Sequence, residues 1–191
     1  MIRSAALLIR ERGAHATAIS DVLQHSHAPR GSAYHHFPGG RAQLIGEAVD
    51  FAGEYVAARI SGGASAIDVL DTLIASYRQQ LLESDFRAGC PVVAVAVEAG
   101  EPDASAATAT LIERTAAAFA RWNDLIALRL MAEGNSLGRS EELAMLMTTS
   151  IEGAIIVARA SRDVKPLDLI HRQLRALLHK ETPERKIDNE R

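Results

Sequence analysis

The stretch 29–36, "PRGSAYHH", concentrates side chains that hydrogen-bond anionic and polar surfaces. Arg30 offers a guanidinium to base edges or phosphates. Ser32 offers a hydroxyl to either, and Tyr34 carries a hydroxyl at the end of a rigid ring. Gly31 has no side chain, so a partner can approach its backbone closely. That offsets the roughly 1 kcal/mol that glycine costs a helix relative to alanine. A helix starting at this point would add the partial positive charge of its N-terminus. Pro29 fits a first helical position, because it has no N–H to lose and its φ is pre-set.

Such a segment needs a scaffold, and the flanking residues describe one. Val22 and Leu23 form the apolar side of a short preceding helix, residues 25–28 form a tight turn, and Pro38 ends the second helix. Two short helices joined by three or four residues make a helix-turn-helix, whose second helix lies in the DNA major groove. The same residues also suit a generic helical hairpin with a surface arginine.

Composition sets the frame. The chain has 191 residues, 48% of them hydrophobic but only 4% aromatic, which suits an all-α protein of close-packed Ala, Leu, Ile and Val helices. No run of about 18 apolar residues lacks charges, so no membrane span is expected. No secretory signal is expected ahead of the first helix. A single cysteine, Cys90, excludes an internal disulfide and fits a reducing cytoplasm. The net charge of −3 argues against indiscriminate coating of nucleic acid. Residues 1–48 nevertheless hold five arginines against three acids, a balance of +2 that leaves −5 for the rest. A local phosphate-facing surface accounts for that asymmetry.

The stretch "GSAYHHFPGGRAQLIGEAV" resembles the end of the DNA-binding domain of TetR-family repressors, with its Gly-small-apolar-Tyr-x-His-Phe pattern, short turn and basic residue opening the next helix. The "HHFPGGR" variant and "GCPVVAVAVEAGE" at 89–101 are similar to the LmrA/YxaF-like branch, transcriptional repressors often of multidrug-efflux genes. The resemblance implies an N-terminal three-helix domain at 1–48 and a larger helical ligand-binding and dimerisation domain at 49–181, followed by a charged tail at 182–191. It implies that His35 touches the DNA backbone. Thr17 either caps the helix near 18–24 or touches a phosphate. His27 stands where the family commonly has glycine, at a turn where φ can be positive. The family usually carries residues ahead of the first helix, often a basic arm. This chain opens almost inside that helix, which implies either a longer native start or no arm.

The remaining elements follow from periodicity and punctuation. Residues 2–12 form a helix closed by Gly13. Phe37 packs beneath the small domain. Arg41 opens a helix over 41–60 and is expected to contact a phosphate. Leu44, Ile45, Ala48, Val49, Ala52, Tyr55 and Val56 face inward along that helix. Ser65 caps a helix over 66–84. Pro91 starts a short helix over 92–99, and a long one runs over 104–133. Ser140 caps 141–161, and 166–180 forms the last helix, with Leu167, Ile170, Leu174 and Leu177 inward.

The second domain carries two expectations. Gly153 lies inside the apolar helix "IEGAIIVARA", where a missing side chain lets another backbone come close. The resemblance implies that the last two helices of two chains pair as a four-helix bundle, with Gly153, Ile156, Leu174 and Leu177 at the interface. The alternative is that Gly153 faces its own core. A two-fold dimer would read a near-palindromic operator. The resemblance also implies an effector cavity, for which Tyr77, Phe86, Phe119, Trp122 and Met131 are the bulky candidates, each equally suited to plain core. The effector expected is small and mainly apolar. The alternative is a DNA-binding regulator that senses no small molecule and is controlled by a protein partner or by its own level. No enzyme is expected. There is no Ser-His-acid grouping, no HExxH, and "HFPGG" lacks a P-loop lysine. Adjacent His35 and His36 point about 100° apart without a completing ligand, so neither a metal nor a cofactor is expected.

Overall fold

The computed structural model describes residues 1–98 and 106–181. Among these residues the chain forms helices α1 (Ile2–Arg12), α2 (Ile19–Ser26), α3 (Ser32–His36), α4 (Gly40–Gly62), α5 (Ala66–Glu83), α6 (Pro91–Glu98), α7 (Ala106–Ala132), α8 (Leu137–Ser161) and α9 (Lys165–Glu181), and no strand. The expected start of the long helix at 104 and the tail at 182–191 lie outside the described residues.

The front of the molecule is α1–α3 and the first turns of α4. Gly13 closes α1 at φ 88°, its N–H donating to the Ile9 carbonyl at 2.8 Å. A side chain there would suffer twice, from the positive φ and from Glu98, whose carboxylate oxygen stands 1.9 Å from where a Cβ would be. Ala5, Ile9, Val22, Phe37, Leu44 and Ala48 form the buried centre of this unit.

Behind it, α4 runs on as the spine and packs along α7. Gly53 permits the close approach: a Cβ there would lie 3.1 Å from that of Ala118. The Trp122 indole N–H donates to the Gly53 carbonyl at 2.9 Å, so the one tryptophan sews these helices together. Ser65 caps α5 as expected, accepting from the Asp68 N–H at 3.1 Å. Leu70, Leu81, Ile126, Leu130, Met147, Ile155 and Leu167 complete a core drawn from four helices. By length and composition α8 could cross a membrane, but half of its most apolar window is buried in this core, between α7 and α9.

Two expectations change here. The cap of α8 is Ser136, accepting from the Arg139 N–H at 3.4 Å; Ser140 lies inside the helix, fully buried. Tyr55 is not inward but 47% exposed, with the Arg59 guanidinium stacked on its ring at 3.7 Å.

The end of α1 is held from a distance. The Arg10 carbonyl accepts from the Gly89 N–H at 2.8 Å and from Arg159 Nη1 at 3.3 Å, and Arg159 Nη2 donates to the Glu11 carbonyl. Arg41 does the same for the loop that follows. Its Nε donates to the Thr17 carbonyl at 3.0 Å, and its Nη2 donates to the carbonyls of His15, at 3.2 Å, and Ala14.

The core also encloses a polar trio: Tyr77, Cys90 and Glu152. Burial pushes the Glu152 carboxyl up to about 7, against which a hydrogen bond with the Cys90 thiol pulls down. One of its oxygens, Oε2, has no partner. Burial, then the neighbouring Glu152, push the Cys90 thiol well up, so it stays protonated and unreactive at neutral pH.

Two outcomes follow for stability. Arg159→Ala should lower unfolding free energy by roughly 1–3 kcal/mol, since it strands carbonyls at a helix end. Arg121→Ala, which removes an exposed pair with Glu54, should change it by less than about 1 kcal/mol. Urea midpoints at constant m measure both. The folded state of Glu152 holds a proton that the unfolded chain, near 4.5, releases. Stability therefore falls as pH rises from about 4.5 to about 7, by a few kcal/mol, and this contribution is flat above. Glu152→Gln should abolish that slope in urea titrations run from about pH 5 to about pH 8.

Candidate nucleic-acid interface

The exposed segment begins where α2 ends. His27 adopts the left-handed conformation (φ 54°, ψ 28°), and the Ala28 N–H reaches back to the Leu23 carbonyl at 3.0 Å, which reverses the chain tightly. The positive φ expected at this turn is therefore present, borne by a histidine. Pro29–Gly31 form a turn, with the Ser32 N–H donating to the Pro29 carbonyl at 3.0 Å. Regular helix starts at Ser32, three residues later than the proline suggests, because the tight turn uses 29–31 to change direction.

Ala33 and Phe37 are buried and anchor this segment from below. Everything else on it faces out. Tyr34 is 82% exposed. Pro29, Arg30, Gly31, His35 and His36 are exposed, and Ser32 is half-buried. Arg30 has no carboxylate within ion-pairing distance among the described residues, whereas Arg12 nearby is tied to Asp21 at 2.5 Å. Gly31 sits at φ −70°, ψ −20°, a conformation open to any residue, and a Cβ added to it would meet nothing. The glycine thus serves nothing within the chain. A partner that comes close to the backbone would give it a purpose. The His35 and His36 rings meet edge-on at 5.2 Å, and no group of three metal-ligating side chains occurs among the described residues.

Two expected contact residues are engaged within the chain, Thr17 buried and Arg41 exposed. Thr17 is buried, and its hydroxyl donates to the Gly13 carbonyl at 2.7 Å; it does not cap α2. The helix starts after Ala18, whose N–H donates to the Asp21 carboxylate at 3.2 Å. Arg41 opens α4 but spends its guanidinium on the loop carbonyls described above. Both residues fix the loop before α2, and Thr17 is buried away from any phosphate.

The second half of the molecule redistributes the other expected sites. Gly153 is exposed, and no atom lies within 4 Å of where its Cβ would be, so its own core does not require it. Ile156 is half exposed, and Met145, Leu146 and Val157 are exposed along the same helix. Leu174 is buried and Leu177 packs against the same core, so these two belong to the fold of one chain. Their helix, α9, meets α5 and α8.

A cavity of about 520 Å³ opens between α1, α4 and α5. Of the five bulky candidates only Tyr77 lines it. Trp122 borders a void of about 20 Å³ with room for one water. Phe119 packs edge-on against Trp122 at 5.2 Å, Phe86 lies beside Arg162, and Met131 is 40% exposed near the end of α7. The walls instead include Arg3, Arg10, Phe51, Tyr55 and Arg59. Their spacing carried a signal. Arg3 and Arg10 are seven apart on α1, two turns, and Phe51, Tyr55 and Arg59 are four apart on α4.

Comparison with known proteins agrees with this architecture. Residues 1–48 match the model of bacterial regulatory proteins of the tetR family, and residues 66–173 match the C-terminal domain of LmrA/YxaF-like transcriptional regulators. An HTH-type transcriptional regulator of Mycobacterium tuberculosis (strain ATCC 25618 / H37Rv) is 63% identical over 185 residues, covering 97% of this chain and 95% of the relative. YxaF of Bacillus subtilis, also an HTH-type regulator, is 29% identical over 188 residues, covering 94% of each. The crystal structure of a TetR regulatory protein from Rhodobacter sphaeroides superposes with a TM-score of 0.77 at 19% identity, covering 92% of this chain and 95% of that one. The chain belongs to the TetR family of helix-turn-helix transcriptional regulators, in its LmrA/YxaF-like branch.

Proposed function

We propose that this TetR-family regulator is a repressor that binds a near-palindromic operator as a homodimer and leaves it when a small, mainly apolar effector binds. Residues 1–48 form the DNA-binding domain and 49–181 the effector and dimerisation domain, and the protein works in the cytoplasm. The observation that carries the reading is the segment Pro29–His36: solvent-facing, cationic at Arg30, and open at Gly31 in a backbone conformation that needs no glycine. Arg30, Ser32 and Tyr34 meet base edges and phosphates there, and His35 lies along the DNA backbone.

The exposed apolar residues of α8, from Met145 to Val157 across Gly153, support pairing with a second copy. Small residues at the centre of this helix allow two such helices to approach closely. A two-fold pair sets its recognition segments into successive major grooves, roughly 34–36 Å apart or a multiple of it. Effector binding favours a dimer whose segments stand too far apart, and α4 joins the two halves. Efficient release requires the effector to prefer the spread state by several kcal/mol.

Gly31→Ala separates the roles of fold and interface. Its stability should be unchanged or raised by about 0.4–1 kcal/mol, as expected where alanine fits the backbone. Operator affinity should nevertheless fall, by roughly tenfold or about 1.4 kcal/mol. Gel shifts beside urea melts check this; unchanged operator affinity would remove the close-approach role. Arg30→Ala should cost roughly 1–3 kcal/mol on the operator and much less on random DNA. Ile156→Glu should leave the monomer folded and shift sedimentation to the monomeric mass, with loss of tight operator binding. A variant that stays dimeric would place the interface elsewhere.

A further inference from the structure

The cavity between α1, α4 and α5 has a chemical character beyond its size. Three guanidiniums line it, those of Arg3, Arg10 and Arg59, and none has a carboxylate within ion-pairing distance among the described residues. Arg10 Nη1 donates to the Gln80 amide oxygen at 2.6 Å, while its Nε is fully buried without any acceptor. Arg59 stacks on Tyr55 and donates to its hydroxyl. The single acid of the wall, Glu83, is exposed and accepts from Gln79 at 2.7 Å. Beside the cations stand Phe51, Tyr55 and Tyr77, a surface for an apolar ring.

We propose that this cavity is the effector site and that the effector is an amphipathic organic anion: a ring-bearing apolar body with one acidic group, held by Arg10 and Arg59. The proposal rests on the reading that the regulator answers to a small molecule. A guanidinium presents a planar fork of donors, and the buried Nε of Arg10 is a donor awaiting an acceptor. A volume of about 520 Å³ suits a ligand of two or three rings. The void beside Glu152, whose Oε2 is likewise unpaired, holds about 20 Å³ and admits no such molecule.

The site also reaches the DNA-binding unit. Arg10 lines the cavity with its side chain, and its carbonyl is the point where Gly89 and Arg159 grip α1. An anion that draws the Arg10 side chain inward acts on the residue through which α1 is fastened to the larger domain.

The test uses a matched pair of probes on the full chain, 8-anilinonaphthalene-1-sulfonate and its uncharged parent N-phenyl-1-naphthylamine, titrated by fluorescence. In the Arg10→Gln/Arg59→Gln double variant the ratio of sulfonate affinity to parent affinity should fall at least tenfold, through loss of sulfonate binding alone. Arg121→Gln, outside the cavity wall, should leave the ratio unchanged, and Arg10→Lys, which keeps the charge but not the Nε donor, should lower it by less than the double variant does. If the double variant does not fold, Arg3→Gln on the cavity rim gives the same reading with a smaller drop, at least twofold. Equal loss of both probes, or an unchanged ratio, overturns the anion assignment. Operator gel shifts of the unmodified protein keep the two readings apart. Sulfonate binding with the expected ratio but without operator release upholds the anion site and sinks its effector role. Release by an uncharged compound with an unchanged ratio does the reverse.

Discussion

A helix ends with carbonyl oxygens that its own backbone cannot satisfy, and the C-terminus of α1 makes this constraint central. The Ile9 carbonyl is answered locally, by Gly13. Those of Arg10 and Glu11 are answered by Gly89 and Arg159, from the larger domain. Those of Ala14, His15 and Thr17 are answered by Arg41, at the root of α4. Two arginines that make no hydrogen bond to α2 therefore help fix the loop leading into it, and with it the attitude of the exposed segment 29–36. Apolar burial holds the small unit together, but it is non-directional. The carbonyl contacts supply the direction.

Much of this was legible from the chain alone, and the division has a physical basis. Gly13, Ser65 and the left-handed turn at His27 act on their immediate neighbours, so local chemistry announces them, whereas Pro29 misleads because the turn uses 29–31 before the helix begins. The apolar stripes of α4 and α9 follow from periodicity. Arg41 and Arg159 defeat that kind of reading, because their partners lie 24 to 149 residues away. Thr17 fails for a related reason. A threonine before a helix suits a cap, yet its hydroxyl here finds the Gly13 carbonyl first and is buried with it. Ser136 and Ser140 both suit the start of α8, and only the extended backbone at Ser136 decides between them.

The same limit governs the second domain. Periodicity identifies an apolar face without saying what covers it. On α9 the stripe with Leu174 and Leu177 meets the chain's own helices, while on α8 the space over Gly153 is open. Bulk was a poor guide to the cavity for a similar reason. In an alanine-rich core the large rings fill space, as Trp122 and Phe119 do against each other. Open volume is left instead between α1 and α5, spanned by the hydrogen bond from Arg10 to Gln80. The cavity thus sits at the seam between the small unit and the large one, lined by α1 on one side and by α4 and α5 on the other.

Because Arg41 and Arg159 close on main-chain oxygens, they place no demand on the identity of the residues that supply them. Side chains at exposed loop positions such as His15 and Ala16 can therefore drift without disturbing the acceptors. The exposed segment thus keeps one attitude while the surface around it is free to change, because its aim is carried by backbone geometry.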